Sequence, residues 1–93
     1  MRSEENRKPK IPHNVVVENR NLLTLTGIIR MGSFDEQAVV VYCDYGELHI
    51  RGEKLHINKL SLESNEVTID GEIEALIYTK TNANGNFFSK IFR

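Results

Sequence analysis

Two histidines seven residues apart, His49 and His56, are the side chains of this sequence best placed to do chemistry. Each sits between apolar neighbours, in Leu48-His49-Ile50 and in Leu55-His56-Ile57. Side chains two apart share one face of a strand, so both histidines point away from the face set by those neighbours. If 47–51 and 55–58 form a hairpin with Ile50 opposite Leu55, His49 faces His56 with Cβ atoms about 5 Å apart. Imidazoles that close can share a metal ion. A zinc site wants four ligands, or three and a water, and only Glu47 or Asn58 stands near enough to be added. The pair is therefore expected to line or leave the sheet as ordinary side chains, with no metal and no cofactor.

The other reactive residue types fall short in the same way. Cys43 is the single cysteine, so no internal disulfide exists, and its place in Val39-Val-Val-Tyr-Cys43 predicts a buried thiol. Asp35, Glu36, Asp44, Glu47, Asp70 and Glu72 lie at turns or outward strand positions. None lies in an apolar run that would raise a carboxyl pKa for acid–base work. Ser33, Ser61, Ser64 and Ser89 have no strand–turn–helix elbow, and the glycines lack the spacing of a phosphate-binding loop. No catalytic residue is assigned, and no small-molecule substrate is expected.

The elements that carry these residues are read from three similar units, Leu23-Thr-Leu25-Thr-Gly27, Leu48-His-Ile50-Arg-Gly52 and Val67-Thr-Ile69-Asp-Gly71. Each is an alternating half-buried strand that ends in a glycine, where a bend, bulge or close approach excludes a side chain. A short strand over 15–17 and a turn at 19–21 precede the first unit, which continues through Ile29 and Met31 on the face of Leu23 and Leu25. A loop follows over 32–37. The apolar run to Cys43 predicts a strand covered on both faces, and Asp44-Tyr-Gly46 turns it into a hairpin over 38–51. Residues 51–54 form a turn that absorbs a change of parity before Leu55. The fold class expected is all-β, a small antiparallel sandwich or barrel-like sheet of short strands.

Ninety-three residues make one domain with a modest core, aliphatic because tryptophan is absent. The net charge of −1 does not supply the broad basic face of a nucleic-acid binder. Tyr42, Tyr45 and Phe34 are too scattered to make a stacking platform. No apolar stretch is long enough to cross a bilayer as a helix, and the start lacks a signal peptide's apolar region. An intracellular protein is the expectation. The organisation predicted is a disordered arm over 1–12, a β domain over 13–86 and an aromatic segment over 87–93. In the arm Arg7, Lys8 and Lys10 are offset by Glu4 and Glu5. In the last segment helical spacing puts Phe88, Ile91 and Phe92 on one side and turns Lys90 away, a short helix that must dock to persist. Phe87, Phe88, Lys90, Ile91 and Phe92 are accordingly the expected partner-binding residues.

The order of Leu23-Thr-Leu-Thr-Gly27, Ser33-Phe-Asp35, Gly46-Glu-Leu-His-Ile-Arg-Gly52, Asp70-Gly71-Glu, Leu76-Ile-Tyr78 and Phe87-Phe-Ser-Lys-Ile-Phe92 resembles the YabP/YqfC family of sporulation proteins, on its YabP side. The resemblance covers about residues 14–93. It implies a non-enzymatic protein made in the mother cell of a sporulating bacterium, supporting assembly or maturation of the spore envelope through protein contacts. It implies a sporulation membrane protein as partner, and a place in the cytoplasm at the forespore membrane. It supplies no catalytic residue. Self-association through exposed strands is a further expectation, and a ligand- or lipid-binding β module is the alternative.

Overall fold

The computed structural model describes residues 10–80. The aromatic segment 87–93 and most of the arm lie outside the described residues. Six strands follow in chain order: β1 Asn14–Glu18, β2 Leu22–Thr26, β3 Ile28–Phe34, β4 Ala38–Cys43, β5 Gly46–Ser61 and β6 Glu66–Thr79. They form one antiparallel sheet in the order β1-β2-β6-β5-β4-β3, with no helix among the described residues. The expected all-β antiparallel architecture is what the chain adopts.

The two long strands are the spine, and each serves two sets of neighbours. The first part of β5 pairs with β4 from Gly46 to Arg51, and the first part of β6 pairs with β2 from Glu66 to Asp70. Between these stretches both spine strands bend. Register shifts fall between Arg51 and Gly52, Glu53 and His56, and Ile57 and Lys59, and bulges of this kind kink a strand and increase its twist. One half, β1-β2 with the end of β5 and the start of β6, therefore folds over the other, β3-β4 with the start of β5 and the end of β6.

The dimensions and the core agree with this. The thinnest extent is 19 Å, enough for two strand layers packed about 10 Å apart. Leu23 and Leu25 of β2 share one buried cluster with Val39 and Val41 of β4, three strands away in the sheet. These side chains have essentially no exposed surface, whereas one face of a flat sheet would stand open to water, so the sheet folds over its own apolar face. Val67, Ile69, Leu48, Ile50 and Ile28 complete the layer, all with essentially no exposed surface. Each such side chain contributes about 1.5–3 kcal/mol by leaving water.

Bending frees backbone groups, and a loop replaces the lost partners at each kink. At the β5 kink Gly52 N–H donates to the Gln37 carbonyl at 3.1 Å and Leu55 N–H to the Glu36 carbonyl at 2.8 Å. At the β6 kink Gly71 N–H donates to Asn21 at 3.2 Å and Ile73 N–H to Arg20 at 2.8 Å. The loop 35–37 is itself pinned by Asp35, whose Oδ1 accepts from the amides of Gln37 and Ala38. Thus the buried polar backbone stays satisfied through the turn of the sheet.

Four local expectations are corrected. Residues 51–54 are not a turn between hairpin strands: β5 continues through them, kinked, and its bulge supplies the parity change. The face set by Leu23 and Leu25 does not continue through Ile29. Gly27, at φ +81°, redirects the chain so that Ile28 is buried and Ile29 is exposed. A bulge after Ile28 then returns Met31 to the core side, opposite Val41. The strand β3 also extends through residues 32–34, which were expected to be loop, and β4 alternates between buried and half-buried positions, so only one of its faces is core.

Candidate functional site

The histidine pair does not form. His49 and His56 sit on the same strand, seven residues or about 23 Å apart along it, and each faces a different neighbour. His49 lies opposite Ile77 and His56 opposite Asp70. His49 Nε2 donates to Glu47 Oε1 at 3.1 Å, with Thr79 Oγ1 at 3.5 Å. His56 Nδ1 stands 3.7 Å from Asp70 Oδ1 in a largely exposed pair. Among the described residues no three His, Cys, Asp or Glu side chains come together as metal ligands. Glu47, expected at an outward position, is only 6 % exposed and is the buried acidic residue beneath His49.

Cys43 is buried, as its sequence position suggested, and its thiol reaches the Gly46 carbonyl at 3.4 Å. That bond closes the turn between β4 and β5 and gives the sulfur a structural part.

A cluster that the sequence reading missed lies at this same turn. Residues 10–13 cross it before β1 begins. Ile11 N–H donates to Asp44 Oδ2 at 2.9 Å, and the Lys10 ammonium sits 4.7 Å from the centre of the Tyr45 ring. His13 uses both ring nitrogens: Nδ1 donates to the Thr26 carbonyl at 2.8 Å, which leaves Nε2 to accept from the Tyr78 hydroxyl at 2.6 Å. Its ring stacks on Tyr45 and meets Tyr78 edge-on. Desolvation by burial, followed by the Cys43 thiol nearby, raises the Tyr78 phenol above its ordinary pKa. The cluster joins the start of β1, the β4–β5 turn and the end of β6. Proline 12 and the charged residues before it carry no periodic signal that could have pointed to this strap.

The remaining surface offers contacts and open clefts, one of about 450 Å³ between the β1–β2 turn and the β6 kink, lined by Asn19, Arg20, Asn21 and Glu72. A shallow cleft of about 250 Å³ opens between the 35–37 loop and the β5 kink, floored by Val39, Leu55 and Ile57 and flanked by the exposed ring of Phe34. It is smaller than the pockets that usually enclose a small ligand. Arg30 lies 3.8 Å from the centre of the Tyr42 ring on the outer face of β3 and β4. Val16, Leu60, Leu62 and Ile77 each leave nearly half of their surface in water.

The described residues thus form a small all-β domain, one sheet folded over a mainly aliphatic core, with strand edges and isolated apolar side chains exposed. The model of the YabP family matches residues 9–85. The chain is also 30 % identical over 84 residues to the spore protein YabP of Bacillus subtilis (strain 168), an alignment covering 87 % of this chain and 84 % of that protein. The chain belongs to the YabP family.

Proposed function

We propose that this chain is a sporulation protein that supports assembly or maturation of the spore envelope by protein contacts, without catalysing a reaction. The observation that carries the reading is its similarity, over most of both lengths, to a protein named as a spore protein. The fold is compatible with contact work, since strand edges and apolar side chains such as Val16, Phe34 and Ile77 stand exposed among the described residues. In this reading the domain is made in the mother cell and meets a membrane partner at the forespore through Phe87, Phe88, Lys90, Ile91 and Phe92.

Deleting the coding sequence in the sporulating host tests it. Spores without the protein are expected to form but to have a defective envelope and lowered resistance, restored by the full chain. Normal, fully resistant spores from the deletion strain would overturn the reading.

A second reading is a lipid-binding β module, favoured by one observation: four large apolar residues stand beside Lys90 and Arg93 at the end of the chain. Anionic liposomes that bind the full chain, and lose it when 87–93 are removed, would favour the lipid over the protein partner.

A further inference from the structure

We propose that the β1 edge is a self-pairing interface, at which two copies of this chain join their sheets antiparallel about a two-fold axis through Val16. The proposal deepens the assembly reading above by naming the partner at one edge, and its geometry does not depend on that reading.

The free edge has a definite pattern. Asn14 N–H turns toward β2, where it reaches Thr26 Oγ1 at 3.0 Å, and the Glu18 carbonyl turns inward to Asn21 N–H at 3.0 Å. Backbone groups alternate sides along a strand, so the N–H and C=O of Val15 and Val17 point away from the sheet. β1 is the end of the strand order, and these groups have no partner strand among the described residues. Its pairing with β2 is regular from Asn14 to Glu18, without a bulge.

The other edge strand carries protection that β1 lacks among the described residues. Two register shifts interrupt β3, one between Ile28 and Arg30 and one between Met31 and Phe34. Bulges and charges are how sheets discourage further pairing at an edge. Where β5 runs beyond β4, it carries Lys54 at positive φ, Lys59 and a bulge. In β1 three consecutive valines stand free of charge between Asn14 and Glu18, and Val16 and Val17 are 49 % and 39 % exposed.

The strand is also complementary to itself. Centred on Val16, antiparallel pairing sets Val15 against Val17 of the second copy, and these exchange all their outward hydrogen bonds. Asn14 falls opposite Glu18, so no two carboxylates meet. Val16 falls opposite its own copy, in the closer non-hydrogen-bonded kind of pair. Val15 and Val17 lie on the side of Leu25 and Leu23, so the added strand continues the core layer. The net charge of −1 offers little long-range repulsion between copies.

The test is the mass of the full chain by light scattering, up to about 1 mM because a single strand edge is small beside a standard interface. The wild type is expected to rise from one chain mass toward two. Val16→Lys and Val16→Glu each place like charges together on the axis and are expected to stay monomeric. An equimolar mixture of the two is expected to recover the dimer, weakened by salt. Val17→Pro removes an outward N–H without touching the β2 ladder and should also be monomeric, with an unchanged β-sheet circular dichroism spectrum. A monomeric wild type, or a mixture that fails to pair while the wild type does, would overturn the proposal. A dimer broken by Val16→Lys with spores still normal would leave the interface standing and count against the assembly reading.

Discussion

The His13 imidazole lies 2.6 Å from the Tyr78 hydroxyl and so ties the entrance of β1 to the end of β6, across 65 residues of sequence. The ring is held on its other side by the Thr26 carbonyl. Removing it leaves both partners to water and lets residues 10–12 lift from the Asp44 turn. His13→Ala should lower stability by about 1–2 kcal/mol, and Tyr78→Phe by about 0.5–1.5 kcal/mol as one hydrogen bond is lost. Chemical unfolding measures both. The Ile11 amide should exchange faster with solvent in His13→Ala; unchanged protection there would show that the strap does not depend on His13.

Tyr78 also makes stability depend on pH at the alkaline end. Its phenol pKa is raised above 10.0 in the fold, chiefly by burial, so the folded chain holds that proton more tightly than the unfolded one. The stability this contributes is present below about pH 10 and lost as pH rises through the folded value. Melting curves between about pH 8 and 11 should fall more steeply for the wild type than for Tyr78→Phe. Parallel curves would refute the assignment.

At Gly52 the β5 backbone lies close against that of β6. A Cβ built there would lie 1.8 Å from the Glu72 carbonyl oxygen, which is backbone and cannot swing aside. Gly52→Ala must therefore open the kink and break the Gly52 bond to Gln37. A loss of about 3 kcal/mol or more is expected, or failure to fold, read by denaturant titration. A neutral substitution would mean that the bend tolerates far more separation than the register allows.

That glycine was legible in the sequence as the end of an alternating unit, and so were the strands around it. What the pattern could not distinguish was a turn from a bulge. Either device reverses parity between Ile50 and Leu55, and a hairpin would have set His49 against His56, whereas the bulge leaves them on one strand. The same ambiguity hid Ile28, because the redirection at Gly27 changes which face the next residue takes. Apolar Val40 and Tyr42 made β4 look covered on both faces, although that outward side faces Gly32 and Arg30. The strap was invisible because its contacts, such as Ile11 with Asp44, join residues far apart in sequence and leave no period.

The two histidines should now respond differently to replacement. His49 donates to a carboxylate that is almost fully buried, so His49→Thr leaves Glu47 without that donor and should cost about 1–3 kcal/mol. His56 is largely exposed beside a partly exposed Asp70, and His56→Thr should change stability by less than about 0.5 kcal/mol. Thermal unfolding of the two single variants decides this. Equal effects would mean that Glu47 is supported by some other group.

The last prediction concerns the aromatic end of the chain, which the fold makes easier to interpret. Among the described residues the core is built by side chains of β2, β4, β5 and β6: Leu23, Leu25, Val39, Val41, Leu48, Ile50, Val67 and Ile69 have essentially no exposed surface and form one cluster. If Phe88 and Phe92 serve a partner, Phe88→Ala with Phe92→Ala should cost less than about 1 kcal/mol in unfolding. Leu25→Ala, a true core truncation, should cost about 2–5 kcal/mol in the same assay. In sporulating cells the double variant should then leave the membrane fraction while keeping its fold, and the spores should show the deletion's envelope defect. Should the double variant unfold as readily as Leu25→Ala while staying with the membrane, the segment would be a piece of the domain's own core. The partner contact would then have to be sought on the strand edges.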